Sequence, residues 1–167
     1  MRNLHWANLT WLLLSALVIG LDLWTKHLVE AQFRYGEFYE VLPFFNLTLA
    51  YNTGAAFSFL ADAGGWQRWF FVAIGVFATV LILGWLLTLR DKRVLAGGLA
   101  LILGGALGNL YDRLAYGHVV DFLDFHWAGN HFPAFNIADS AITLGAILLI
   151  VDMLLEKRDE RGSDSHE

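Results

Sequence analysis

Four long apolar segments dominate the pattern of the chain, and shorter polar segments separate them. They cover about residues 6–27, 69–89, 94–112 and 136–155. Each approaches the roughly 20 apolar residues that a helix needs to cross a hydrocarbon core of ~30 Å. The pattern therefore predicts four transmembrane helices, arranged as one integral membrane domain over residues 1–167.

A different pattern occupies part of the first long loop. From residue 45 to residue 52, apolar and polar side chains alternate one by one. A period of two is typical of a strand with one apolar face. We therefore predict an all-α membrane fold with a small β element, a sheet that rests on the membrane surface.

Composition agrees with lipid as the main solvent. The chain is 57% hydrophobic and 16% charged, and its mean hydropathy is +0.51. A net charge of -5 argues against a nucleic-acid partner, since phosphate contacts need clustered Lys and Arg. Cysteine is absent, so disulfides and thiolate nucleophiles are excluded.

The basic residues predict the orientation in the membrane. Seven of the eleven flank the apolar segments on one side, which we predict to be cytoplasmic: Arg2, Arg90, Lys92, Arg93, Lys157, Arg158 and Arg161. Both termini then lie inside, and the loops at about 30–68 and 113–135 lie outside. The tail at 156–167 is too polar to bury enough apolar surface to fold alone.

Polar residues collect at the outer ends of the predicted helices. These are Asp22, Lys26, Asn109, Asp112, Arg113, Asn136 and Asp139, with Asp121 in the adjoining loop. Ionisable groups in or beside a membrane are costly and indicate function. Two neighbouring carboxyls share a proton, so one can activate water while the other polarises a carbonyl. Asp121 and Asp139 are therefore candidates for the pair of an aspartyl peptidase.

Structural interpretations of the same acids stay open. Asn136 and Asp139 suit the N-terminal cap of the fourth helix, and Asp121 suits a solvated loop acid like Asp124. Two other pairs have equally simple explanations. Asp22 and Lys26 suit an i, i+4 helix pair in which Lys26 extends toward the interface, and Asp112 and Arg113 suit a pair at the membrane surface.

Two further features carry alternatives of their own. A zinc site is one alternative, because the second outer loop contains three histidines, His118, His126 and His131. No H-E-x-x-H spacing is present, however. Gly104 and Gly108 have a small-xxx-small spacing, which we interpret as packing within the chain rather than association between chains.

Four ordered motifs are recognisable along the chain. They are residues 52–58 (NTGAAFS), 108–113 (GNLYDR), 120–122 (VDF) and 135–140 (FNIADS), and they resemble bacterial lipoprotein signal peptidase, or signal peptidase II. One departure occurs in the first span, where the family motif usually reads Asp-Gln-x-Ser/Thr-Lys. Leu23 replaces Gln here, while Asp22, Thr25 and Lys26 remain.

The resemblance implies an enzyme of the bacterial cytoplasmic membrane with its site at the periplasmic face. Such enzymes remove the signal peptide from a diacylglyceryl-modified prolipoprotein, just before the lipidated Cys, without metal or cofactor. Asp121 and Asp139 match the catalytic pair. The matched substrate positions are Asn52, Gly54, Asn109, Arg113 and Asn136, and the supporting ones are Asp22, Lys26 and Asp112. The resemblance further implies contact with membrane lipid and inhibition by globomycin-type cyclic peptides.

Overall fold

Four helices and a four-stranded sheet make up the computed structural model, which describes residues 6–54 and 64–164, with side chains over 8–54 and 64–158. A 3-10 turn at Trp6–Thr10 precedes the helices, which are α1 (Trp11–Gln32), α2 (Trp66–Thr88), α3 (Arg93–Ala115) and α4 (Ile137–Asp164). All four are long and apolar enough to cross a membrane, as predicted. Arg2, motif residues 55–58 and the side chain of Arg161 lie outside the described residues.

Helix α3 is the centre of the bundle, and the other three helices pack against it. Its glycines permit this close approach. A Cβ at Gly104 would lie 2.8 Å from the carbonyl oxygen of Ser15 in α1, and one at Gly105 would collide with the carbonyl of Ala138 in α4. Small residues let helix backbones approach where lipid supplies no hydrophobic driving force. The predicted packing of Gly104 and Gly108 within the chain is confirmed, since both face α1.

Helix α2 stands at the edge of the bundle. Most of its apolar side chains, including Trp69, Phe77 and Val80, are exposed on the protein surface. In water such a surface would drive aggregation, whereas in a bilayer it faces hydrocarbon. The N-terminal end of α2 is fixed by Arg68, whose guanidinium donates to the carbonyls of Arg113 and Leu114 at 2.7 and 2.8 Å.

The sheet lies between the helix ends and is antiparallel throughout, in the order β1 to β4. Its strands are β1 (Phe38–Leu42), β2 (Phe45–Asn52), β3 (Val119–Trp127) and β4 (Asn130–His131). Buried Leu49, Val120 and Phe122 pack with Val29 of α1, which attaches the sheet to the bundle. This contact places the start of β3, and with it Asp121, at the C-terminal end of α1.

Strand β2 confirms the predicted strand but not a regular apolar face. Its pairing with β3 shifts between Leu47 and Ala50, so the alternation is interrupted. The polar Asn46 and Thr48 are buried instead. Both are satisfied, because Asn46 donates to Asp124 at 2.8 Å and Thr48 donates to the carbonyl of Glu37 at 2.8 Å.

The charged tail is a second difference from expectation, because α4 continues through it to Asp164. Extending an existing helix costs far less than starting one. An ion pair between Glu156 and Lys92, in the loop before α3, also holds the first turn of the extension.

The glycine packing yields a prediction for stability. We expect Gly105→Ala to lower the free energy of unfolding by about 1–3 kcal/mol, because the added methyl group forces α3 away from α4. Gly84→Ala is the matched control, since a Cβ there meets nothing within 4 Å and alanine favours a helix by about 1 kcal/mol. Reversible unfolding in mixed detergent micelles measures both, and equal effects of the two substitutions would contradict this packing.

Candidate active site

Asp121 lies on β3 and is 3% exposed, so the solvated loop acid considered above is wrong. Both of its carboxyl oxygens accept hydrogen bonds. Asn136 donates to Oδ1 at 2.7 Å, and Asn52 donates to Oδ2 at 3.1 Å. The carboxyl is therefore held from two sides, by the end of β2 and by the residue that precedes α4.

Asp139 lies in the first turn of α4. The expected cap is present, because the side-chain oxygen of Asn136 accepts the backbone N–H of Asp139 at 2.9 Å. The carboxyl of Asp139 nevertheless has a partner of its own. Its Oδ1 accepts a hydrogen bond of 2.7 Å from Asn109 on α3. Asn136 therefore caps α4 through the backbone of Asp139, and the carboxyl of Asp139 remains available for a separate role.

Two amides connect the two aspartates. The Nδ2 of Asn136 also donates to the Oδ1 of Asn109 at 3.2 Å, so hydrogen bonds run from Asp121 through Asn136 and Asn109 to Asp139. Lys26 donates to the same Oδ1 of Asn109 at 3.1 Å. Because an ammonium group can only donate, the oxygen of Asn109 must face Lys26 and its Nδ2 must face Asp139. We call Asn109 and Asn136 the amide bridge.

Lys26 is buried rather than extended to the interface. Its ammonium lies 2.7 Å from Asp22 and 2.8 Å from Asp112, and the three side chains are at most 3% exposed. We call Asp22, Lys26 and Asp112 the ion triad. Asp112 therefore pairs with Lys26, and the surface pair of Asp112 with Arg113 is wrong.

Arg113 points toward the end of β2. Its guanidinium donates to the carbonyl of Gly54 at 3.0 Å and to that of Asn109 at 3.3 Å, and it lies 5.2 Å from the ring centre of Phe71. The Nε of Arg113 has no hydrogen-bond partner among the described residues. Gly54 donates its N–H to the side chain of Asn52 at 3.0 Å, which places both beside Asp121.

A cavity of about 620 Å³ opens beside Asp139. At one end its wall is polar, with Asn52, Asn109 and Arg113, and along α4 it becomes apolar. Sequence reasoning missed this wall, which includes Thr143 and Ile147. Their spacing of four and eight residues from Asp139 is the signal that places them on the same face of a helix.

Titration of Asp121 is displaced toward neutral pH. The pKa of Asp121 is raised from its ordinary 3.8 to about 7: burial raises it most and the charge of Asp139 also raises it, whereas hydrogen bonds from Asn52 and Asn136 and the charge of Lys26 lower it. A carboxyl with this pKa exchanges its proton readily at neutral pH. The arrangement suits a pair of acids that share one proton.

The remaining sequence candidates lie away from this pair. His131 lies 2.9 Å from Asp124 and its ring stacks on His126, whereas the ring of His118 packs against Tyr51. In the described part of the chain, no three His, Asp or Glu side chains are grouped for a metal ion.

Leu23 lines a second cavity, of about 210 Å³, together with Lys26, Asp112 and other residues. It is half-buried, and its apolar side chain cannot form a hydrogen bond to the ion triad. Leu23 is not one of the ten predicted site residues. All ten lie close together, and they include the two aspartates, the amide bridge and the ion triad.

The displaced pKa of Asp121 predicts how stability varies with pH. A folded pKa of about 7 above the ordinary 3.8 means that the folded state binds this proton more tightly. The contribution is complete below pH 4, declines by about 1.4 kcal/mol per pH unit as pH rises, and is lost above pH 7. We therefore expect the stability of Asp121→Asn relative to wild type to rise across this window.

Unfolding free energies in detergent at pH 5, 6 and 7 measure the effect. Asp91→Asn, in the exposed loop between α2 and α3, is the matched control and should show a constant difference. A pH-independent difference for Asp121→Asn would contradict the displaced titration.

Comparison with known proteins agrees with this geometry. Residues 14–155 match the family model for signal peptidase (SPase) II. Lipoprotein signal peptidases of Acinetobacter baumannii (strain ATCC 17978) and Burkholderia thailandensis are 54% and 58% identical to the chain, over 95% and 90% of it and 91% of each relative.

Solved structures show the same fold. Two bacterial membrane enzyme structures superpose with TM-scores of 0.81 and 0.76 at 32% and 33% identity, covering 95% and 92% of this chain and 95% and 97% of theirs. The sequence and the fold lead to one conclusion: the chain belongs to the signal peptidase II family of aspartic peptidases, the lipoprotein signal peptidases.

Proposed function

We propose that Asp121 and Asp139 are the catalytic pair of this aspartic peptidase, and that the substrate is a diacylglyceryl-modified prolipoprotein cleaved just before its lipidated Cys. Family membership supports the removal of signal peptides from lipoproteins. The observation that carries the assignment of the pair is the amide bridge, which joins the two carboxyls through Asn136 and Asn109.

The chemistry follows from one shared proton. The ionised carboxyl removes a proton from water, whose oxygen attacks the scissile carbonyl carbon, while the protonated carboxyl donates to the carbonyl oxygen. As the tetrahedral intermediate collapses and the C–N bond breaks, the carboxyl that took the proton from water gives it to the leaving amine. The other carboxylate takes back the hydroxyl proton as the C=O bond re-forms. Asp139 lines the cavity, so it is the carboxyl that faces the bound substrate. The buried Asp121 is the second member of the pair.

Three residues around the cavity suit an extended substrate backbone. Asn52, Asn109 and Arg113 line its polar end, where amide and guanidinium groups can bind peptide groups. Gly54 holds the side chains of Asn52 and Arg113 together. Asn136 has no exposed surface, so we assign it to the carboxyl pair rather than to direct substrate contact.

The apolar end of the cavity suits a lipid-anchored substrate. Leu144 and Ile147 on α4 are each 50% exposed and continue the cavity wall toward the lipid-facing surface. The acyl chains then stay in hydrocarbon while the cleavage site reaches Asp139. We place the enzyme in the bacterial cytoplasmic membrane, with both termini in the cytoplasm and the site at the periplasmic face. We further propose that globomycin-type cyclic peptides inhibit it by occupying this cavity.

Replacing either aspartate tests the pair directly. We expect Asp121→Asn and Asp139→Asn each to lower kcat by about 10³-fold or more, because each removes one of the two proton-transfer groups. The assay follows the size shift of a diacylglyceryl-modified prolipoprotein with purified enzyme in lipid. Asp91→Asn should cleave at the wild-type rate, and full cleavage by either site variant would refute the mechanism. Loss of activity with a chelator, restored by zinc, would favour the histidine alternative instead.

Removing the lipid from the substrate tests the apolar wall. We expect a prolipoprotein without diacylglyceryl to lose about 10²-fold or more in kcat/KM, since it loses the packing of its acyl chains against this wall and with it the placement of the cleavage site at Asp139. Ile147→Asn should reduce the ratio of kcat/KM between the lipidated and unlipidated substrates, because it makes the wall polar. Equal kcat/KM for the two substrates would mean that the apolar wall contacts bulk lipid rather than the substrate.

A further inference from the structure

We propose that the ion triad is a positioning device that fixes both aspartates of the catalytic pair at once. This inference rests on the function proposed for Asp121 and Asp139 and goes further by assigning a task to Asp22, Lys26 and Asp112. Each member of the triad is hydrogen-bonded to a group that adjoins the pair, on β3, on α4 or in the amide bridge.

Asp112 holds the backbone before Asp121. Its Oδ2 accepts the N–H of Val120 at 3.2 Å, and the carbonyl of Val120 accepts a hydrogen bond of 3.2 Å from Asn136. Val120 is 1% exposed, so water cannot replace either partner. The peptide that leads into Asp121 is therefore attached to α3 on one side and to the start of α4 on the other.

Asp22 holds the backbone before Asp139. Its Oδ1 accepts the N–H of Ala138 at 2.9 Å. The first N–H groups of a helix have no partner within the helix, so a side chain from α1 here completes the cap that Asn136 begins. Gly108 makes room for this carboxyl, because a Cβ there would lie 2.6 Å from its Oδ2.

Lys26 connects these two attachments. It neutralises much of the charge of Asp22 and Asp112, and its hydrogen bond to Asn109 fixes that amide with its Nδ2 toward Asp139. Apolar residues of similar volume often stabilise a fold as well as a buried ion cluster does. A contribution to stability alone therefore explains the triad less well than control of geometry.

Substitutions at Asp112 separate its hydrogen bond from its charge. Asp112→Asn and Asp112→Leu both remove the charge, but only Asn keeps an oxygen that can accept the N–H of Val120. We expect Leu to have a kcat about 10²-fold below that of Asn, with KM within about threefold, since a displacement of ~1 Å at a catalytic group costs that much. Equal kcat values for the two variants would overturn the positioning role of Asp112.

The pH profile of kcat tests whether the triad acts on the pair itself. Charged groups facing the pair are Asp22 and Lys26 on α1 and Asp112 and Arg113 on α3, while β2 supplies the neutral Asn52. Since the charge of Lys26 lowers the pKa of Asp121, Lys26→Met should move the profile to higher pH by about half to one unit. Asp112→Asn removes a negative charge and should move it to lower pH.

Loss of folded protein does not explain opposite displacements of the pH profile. Both variants keep Asp121 and its pH-dependent contribution to stability, so partial unfolding would change their profiles in the same direction. Lys92→Met and Asp91→Asn, at the far end of α3, are the matched controls and should keep the wild-type profile. If Asp112→Leu does not fold, the opposite shifts of Lys26→Met and Asp112→Asn decide alone. Unshifted profiles with reduced rates would overturn this inference, whereas cleavage by Asp121→Asn would overturn the catalytic pair itself.

Discussion

The hydrogen bond between Asn109 and Asn136 joins the two halves of the site, and through it α3, α4 and β3 are connected at the sheet end of the bundle. Asn109 belongs to α3, and Asn136 caps α4 and contacts β3. Amides suit this position because they donate and accept without carrying charge. A buried polar network of this kind must be fully satisfied, since an unpaired member costs more than an apolar residue would.

Close helix packing is what allows these side chains to meet. The glycines of α3 bring its backbone against α1 and α4, so that short side chains such as Asp22 and Asn109 reach across the gap. Longer side chains would be needed at an ordinary helix separation, and they would lose more conformational entropy on ordering. The small residues in the middle of the bundle and the polar residues at its sheet end are therefore parts of one arrangement.

The sequence predicts the four helices well, and it draws attention to the two aspartates, because each leaves a local signal. Apolar segments of spanning length define the helices, and acids at their ends are conspicuous in so apolar a chain. The burial of Lys26 left no such signal, because an i, i+4 pair with Asp22 looks the same whether it is exposed or buried. Only the packing of α1 against α3 supplies Asp112 as the second partner.

Strand β2 and the end of α4 show a similar limit. Alternation located β2, but the shift in its pairing depends on the partner strand, which lies some 70 residues later in the chain. The helical extension of α4 begins at Glu156, which pairs with Lys92 in the distant loop before α3. Both features involve contacts between residues that are distant in sequence.

The graded cavity along α4 has a geometric consequence. Asp139 and Ile147 are eight residues apart, which corresponds to about 12 Å along the helix axis. That distance is more than a third of a ~30 Å hydrocarbon core. Depth in the bilayer is therefore a coordinate by which this protein can discriminate between peptides. With Asp139 as a catalytic residue, as proposed, a bond that lies two helical turns too deep meets Ile147 where a correctly placed bond meets the carboxyl of Asp139, whatever the sequence around the bond.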